Sequence, residues 1–175
     1  MDDTTLSLPD AEALLATLIE RCRALLAERG IAAPRVVGIH TGGVWLAERL
    51  AAALELPDPV GTLDISFYRD DVAHRGVNPT VKPSQIPWEV DGADLLLVDD
   101  ILWSGRTIRA ALNELFDYGR PRRVLLVTLL ARDGRELPIQ PDACAATLTL
   151  PPGQLVKLRG PAPLSLALKE VASDA

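Results

Sequence analysis

Leu95-Leu96-Leu97-Val98-Asp99-Asp100-Ile101-Leu102-Trp103-Ser104-Gly105-Arg106-Thr107-Ile108-Arg109-Ala110-Ala111-Leu112 decides the reading of this chain, because its character changes twice within a short span. The run from Leu95 to Val98 is wholly apolar and meets acids at once, as a strand buried on both faces does where it reaches the edge of a parallel sheet. Asp99 and Asp100 are expected to emerge at its carboxyl end. Ser104-Gly105-Arg106-Thr107 follows, rich in backbone donors and with a glycine that lets a ligand approach the main chain, and a helix is predicted from there to about Tyr118. Such a loop is a phosphate cradle with two carboxylates beside it.

Unpaired N–H groups and the positive end of the dipole at a helix N-terminus hold phosphate, and the hydroxyls of Ser104 and Thr107 add hydrogen bonds. Adjacent carboxylates repel phosphate but accept from sugar hydroxyls. A ligand with both kinds of group is a sugar phosphate, its ribose hydroxyls on Asp99 and Asp100 and its 5′-phosphate in the loop. No G-x-x-x-x-G-K-[ST] and no G-x-G-x-x-G occurs in the chain, which sets aside the commoner nucleotide-binding signatures. An Asp-Asp pair alone suits a solvated turn equally well; the Gly-Arg-Thr loop at this spacing is what favours a site.

The same strand, loop and helix pattern occurs earlier. Arg35 to Ile39 reads as a buried strand, His40-Thr41-Gly42-Gly43 as a tight loop suited to a second anion, and Val44 to about Leu54 as a helix. Before it, Asp10 is the expected N-cap of a helix whose stripe Leu14, Leu18, Cys22 and Leu25 faces a core, and Gly30 its stop. Thr62 to Tyr68 alternates like a half-buried strand. Val72 to Glu89 loses periodicity and is expected to be a long loop, either functional or plain surface. Arg123 to Leu130 is a further buried strand; Ala145 to Leu150 and Leu155 to Leu158 read as short strands separated by the turn Pro151-Pro152-Gly153. Ser165 to Ala175 is expected to be a poorly determined tail. Strand and helix alternation, with each candidate loop after a strand, argues for an α/β fold with an open parallel sheet and its ligand at the strands' carboxyl ends.

With 175 residues, 48% of them hydrophobic, the chain suits one domain over residues 1–175. No apolar run approaches the ~20 residues that cross a bilayer, and Met1-Asp2-Asp3-Thr4 is acidic where a signal peptide is basic, so a soluble, cytoplasmic protein without membrane partners is expected. Cys22 and Cys144 fit no metal-ligand spacing and are read as reduced core residues. A formal net charge of −6 argues against a dedicated nucleic-acid binder. The cluster Arg120, Arg122 and Arg123 is read as solvated surface.

Val98-Asp99-Asp100-Ile101-Leu102-Trp103-Ser104-Gly105-Arg106-Thr107 resembles the phosphoribosyl-pyrophosphate (PRPP) motif of type I phosphoribosyltransferases, and the resemblance is nearest to the PyrR proteins, which combine uracil phosphoribosyltransferase activity with regulation of pyrimidine-biosynthesis genes. Leu63-Asp64-Ile65-Ser66-Phe67-Tyr68-Arg69-Asp70-Asp71 is similar to a second segment of that family. So is Arg132 with Arg135-Glu136-Leu137-Pro138-Ile139, although Ala131, Asp133 and Gly134 depart from it. The resemblance implies a five-stranded core over about 36–139, a small hood for the base and a flexible loop over about 72–89 that closes on PRPP and shields the reacting carbon from water.

It also implies residue roles. Asp99 and Asp100 are the catalytic acids; Ser104, Gly105, Arg106 and Thr107 take the 5′-phosphate. Thr41, Gly42 and Gly43 take pyrophosphate, with Arg69 and Lys82 meeting phosphate oxygens. Arg132 and Trp103 line the base pocket. Mg²⁺ is the implied cofactor, carried mainly by substrate and water with Asp99 and Asp100 as the only candidate ligands. PyrR proteins usually have Thr-Arg-Gly where this chain has Thr41-Gly42-Gly43, so Gly42→Arg is expected to raise activity if the loop binds pyrophosphate. Purine enzymes commonly place an acid at the position of Trp103, which favours a pyrimidine base. The implied reaction joins PRPP and uracil to give UMP and pyrophosphate. The alternative is a nucleotide-sensing regulator that binds pyr messenger RNA or a protein, with weak or no catalysis; a homo-oligomer, as a dimer, is implied by the resemblance alone.

Overall fold

The computed structural model describes residues 7–66 and 83–171. Arg69, Lys82 and most of the expected flexible loop lie outside them, as do Phe67 and Tyr68 of the expected second strand.

Helix α1, Ala11–Arg29, begins and ends where its capping residues predict. The Asp10 carboxylate accepts from Ala13 N at 2.7 Å, and Gly30 adopts φ 62°, a left-handed stop that glycine enters without steric cost. Strand β1 is Arg35–Ile39 and helix α2 is Gly42–Ala53, so Gly42 and Gly43 form the first turn of the helix and not a loop before it. Strand β2, Gly61–Leu63, is short. Strand β3 is Asp94–Leu102, α3 is Arg106–Asp117, β4 is Arg123–Arg132 and β5 is Ala143–Leu148.

These five strands form one parallel sheet in the order β2-β1-β3-β4-β5. α1 and α2 cover one face, in a core that includes Leu18, Leu50, Leu96 and Val127. α3 covers the other with Ile108, Ala111 and Leu115 against Val37, Leu95, Leu97 and Leu126. Each fully buried leucine contributes roughly 1.5–3 kcal/mol to the sheet's cover. Among the described residues no helix is long and apolar enough to cross a membrane.

Three expectations need correction. β3 does not stop at Val98: Asp99 pairs with Thr128, Ile101 with Leu130 and Leu102 with Ala131, so the two acids stand within the strand. Backbone pairing with the longer β4 carries the extended conformation past the apolar run. The tail also contains structure, because β6, Gln154–Arg159, and β7, Ser165–Glu170, form an antiparallel ribbon in which Val156 faces Leu168 and Leu158 faces Leu166. The short alternation of β7 is fixed by its partner. Residues 83–89 of the expected loop are tied down: Gln85 and Thr62 exchange backbone hydrogen bonds of 2.8 Å, and Trp88 Nε1 donates to Pro59 O. Cys22 is buried and free, its thiol pushed up to about 12 by burial, and Cys144 is half-buried and free.

The arginine cluster is not wholly solvated surface. At the amino end of β3, Asp94 is 8% exposed and accepts from Arg122 Nε at 3.0 Å and Arg123 Nε at 2.7 Å. The hydrogen bond from Arg122, then that from Arg123, hold its carboxyl below the usual range. A lowered folded pKa means that this stabilisation is present above the ordinary aspartate value of ~3.9 and is lost as pH falls through the folded one. Arg122 is largely exposed, so solvent screens the pairing and its contribution is modest. Asp94→Asn is therefore expected to lower Tm by about 2–4 °C at neutral pH, with the two melting curves converging below pH ~4. A gap that persisted in acid would assign the effect to packing.

Candidate active site

The strand order reverses direction between β1 and β3: the chain moves outward from β1 to β2 and then crosses to β3 on the other side. At such a switch point the loops after the two strands separate and leave a crevice at their carboxyl ends. The helices that follow β1 and β3, α2 and α3, begin at that crevice.

β3 delivers the acids. Asp99 is 4% exposed, and its Oδ1 accepts from Asp100 N at 2.9 Å; Asp100 Oδ1 accepts in the same way from Ile101 N at 2.9 Å. Each carboxylate is thus anchored by one oxygen to the backbone of the following residue. Asp100 lies over the start of α2, where a Cβ at Gly42 would come within 2.9 Å of its Cγ. The helix dipole favours a carboxylate there.

The first turn of α2 is pressed against the sheet. A Cβ on Gly38 would meet Gly43 O at 2.6 Å, and one on Gly43 would meet Val98 O at 2.5 Å. Glycine is required by this approach of three backbone segments. The Thr41 side chain makes no capping bond, which leaves the turn's N–H groups as donors for an anion; the His40–Thr41 peptide is cis.

The second cradle starts at Gly105, which caps α3 with φ 94° and no side chain. Ser104 Oγ accepts from Arg106 N at 3.2 Å, and Ser104 O accepts from Glu136 N and Leu137 N, both at 3.0 Å. Arg106 sends its side chain outward to Glu136, Nε to Oε2 at 2.7 Å. With Arg106 turned outward, the backbone and the hydroxyls of Ser104 and Thr107 are what this loop offers to an anion. Glu136 belongs to the segment similar to the family, but its bracing of the loop was not legible there because the ion pair spans two distant segments. Gly38 had a signal: an isolated glycine inside an apolar strand marks close backbone approach.

Trp103, the residue after β3, is 46% exposed. The Arg132 guanidinium stacks on its ring at 4.7 Å and donates from Nη1 to Gln154 O at 2.9 Å, tying the end of β4 to the β6–β7 ribbon. A Cβ at Gly134, where φ is +96°, would lie 2.7 Å from Trp103 Nε1, so the indole is held from a second side. Of the described site residues, Asp99 and Asp100 lie in the carboxyl-terminal half of β3, Arg132 at the end of β4, and Thr41 to Gly43, Trp103 and Ser104 to Thr107 just beyond β1 and β3.

Two helix N-termini and an acid pair meet at one switch point, an arrangement suited to a phosphorylated sugar. The family model for the phosphoribosyl transferase domain matches residues 5–149. Solved structures with the same fold include a hypoxanthine-guanine phosphoribosyltransferase of Leishmania tarentolae in complex with GMP (TM-score 0.64, 18% identity, 83% of this chain and 82% of that one). Another is a hypoxanthine phosphoribosyltransferase of Staphylococcus aureus (TM-score 0.62, 22% identity, 85% and 79%). The fold and site define a phosphoribosyltransferase domain, whose substrates are PRPP and a base. Among curated relatives, the bifunctional protein PyrR of Pseudomonas paraeruginosa is 59% identical over 94% of this chain and 96% of its own length. That of Pseudomonas syringae pv. syringae is 52% identical over 96% and 99%. The chain belongs to the PyrR family.

Proposed function

We propose that the chain transfers the 5-phosphoribosyl group of PRPP to N1 of uracil, releasing pyrophosphate and forming UMP. The observation that carries this is the convergence of Asp99, Asp100 and the N-termini of α2 and α3 at one switch point, together with PyrR relatives more than half identical to the chain. Ser104, Gly105 and Thr107 hold the 5′-phosphate, and the Arg106 N–H, which donates to Ser104 Oγ, joins them when that hydroxyl turns to the phosphate. The turn from Thr41 to Gly43 takes the pyrophosphate. Asp99 and Asp100 accept from the ribose hydroxyls and stabilise the positive charge that develops at the anomeric carbon as its bond to pyrophosphate breaks. The new bond forms from N1 of the base, whose proton leaves to solvent. Trp103, backed by Arg132, offers a flat face on which a pyrimidine ring stacks.

The donor set suits Mg²⁺. The described residues hold no group of three or more His, Cys, Asp or Glu able to bind a metal alone, while one or two carboxylates beside a phosphorylated substrate are the usual protein share of a magnesium site. Asp99 and Asp100 would hold it, and when bound it neutralises charge on the departing pyrophosphate.

A second role, in regulating pyrimidine-biosynthesis genes, is supported by the word bifunctional in the relatives' names. A net charge of −6 opposes strong non-specific RNA affinity, so any RNA partner is read through a local surface. The deciding test is release of UMP and pyrophosphate from PRPP and uracil with Mg²⁺, hypoxanthine and orotate competing. Uracil turnover is expected. Faster use of hypoxanthine would overturn the base assignment, and binding of UMP without turnover would make the regulatory role the primary one.

A further inference from the structure

Thr128 stands in the middle of β4 among Leu125, Leu126, Val127, Leu129 and Leu130. It is 0% exposed, and its Oγ1 has no hydrogen-bond partner among the described residues. A buried hydroxyl left unpaired is unfavourable, and valine would fill the same volume without that penalty. The position therefore asks for a reason to keep an O–H.

Alternation along the strands supplies one. Leu95 and Leu97 of β3 and Leu126 of β4 belong to the core beneath α3, so Asp99 and Thr128, each two residues further on, point to that same face. They are register partners in the parallel ladder, which sets their Cα atoms about 4.8 Å apart. On the other side Thr128 is in register with Cys144, whose Sγ contacts Ala146 O at 3.1 Å. A carboxylate is the stronger acceptor for a hydroxyl, because its charge shortens and strengthens the bond. Thr128 thus sits beside Asp99 on one face of the sheet, and Asp99 Oδ1 is already fixed by Asp100 N.

We propose that Thr128 is a positioning residue for the transfer reaction: with the sugar bound, its hydroxyl donates to the Asp99 carboxylate and holds it in the orientation that receives the ribose hydroxyls. Asp99 then has a backbone donor and a side-chain donor behind it. The inference rests on the assignment of Asp99 to the ribose made above.

The experiment compares Thr128→Val, which keeps the shape and removes the donor, with Thr128→Ser, which keeps the donor. In Thr128→Val, kcat/KM for PRPP is expected to fall about fivefold, the worth of one net hydrogen bond, with KM for uracil unchanged and Tm no lower than wild type. Thr128→Ser is expected to retain wild-type kcat/KM. Wild-type kinetics in Thr128→Val would overturn the proposal, as would an equal loss in both variants, which would assign the effect to packing. Calorimetric binding of PRPP with Mg²⁺ separates this from the choice of base. If the wild type fails to use uracil yet binds PRPP, a fivefold weaker affinity in Thr128→Val still supports Thr128, and equal affinity overturns it.

Discussion

Replacing Asp100 with asparagine is expected to lower kcat for transfer about 10²–10³-fold, the scale on which loss of one electrostatic contact to a transition state is felt, while the protein melts as before. The side chain lies at the carboxyl end of β3 and is only partly buried. An asparagine oxygen can still accept from Ile101 N, so the local backbone keeps its partner. What disappears is the negative charge that faces the sugar. An amide in its place cannot offset positive charge at the anomeric carbon, and its NH₂ group cannot accept from a ribose hydroxyl. Steady-state turnover of PRPP and uracil, read beside a thermal melt, checks both halves. Near-full activity in a folded variant would remove Asp100 from the catalytic assignment.

Adding one methyl group to either glycine of the α2 turn is the second large effect, and the two positions should fail differently. At Gly43 the new Cβ meets Val98 O at 2.5 Å and Asp99 Cα at 3.2 Å, both backbone atoms of the central strand. Neither can retreat without disturbing the ladder, so Gly43→Ala should cost about 1–3 kcal/mol of stability and lose activity with it. At Gly42 the obstacle is the Asp100 side chain, with Cγ at 2.9 Å, which can swing aside. Gly42→Ala should therefore fold normally and lose ~10²-fold in kcat because an acid has been displaced. The same reasoning reverses the expectation for Gly42→Arg. An arginine brings its charge on a Cβ that first dislodges Asp100, so activity should fall. A gain would mean that Asp100 has a second productive position. Comparing melts with turnover across Gly42→Ala, Gly42→Arg and Gly43→Ala separates the two modes.

These contrasts mark what the sequence could convey. Local chemistry was legible: Asp10 and Gly30 bound α1, and Ser104-Gly105-Arg106-Thr107 after the acid pair marked a loop opening a helix, which starts at Arg106. Contacts between distant segments were not. The pressure of α2 on Asp100 arises from packing of β1 against β3. The turn of Arg106 toward Glu136 depends on where residues 134–139 fold back, and β7 exists because β6 lies beside it. The run of β3 through its acids is of the same kind, since aspartate disfavours strands locally and the ladder with β4 prevails.

The attachment of α1 to the end of the chain bears on the order in which a ribosome delivers the fold. Glu12 accepts from Arg49 Nη2 at 2.7 Å and from Leu164 N at 2.9 Å, the latter partner lying 152 positions downstream. The core over α1 and α2 includes Val156, Leu158 and Leu164. The five parallel strands are all synthesised by residue 148, yet the core under α1 and α2 lacks Val156, Leu158 and Leu164 until the ribbon emerges, at synthesis rates of about 5–20 residues per second. The nascent chain therefore holds its five strands for a short interval before that core is closed at its edge and before Gln154 O is there to receive Arg132.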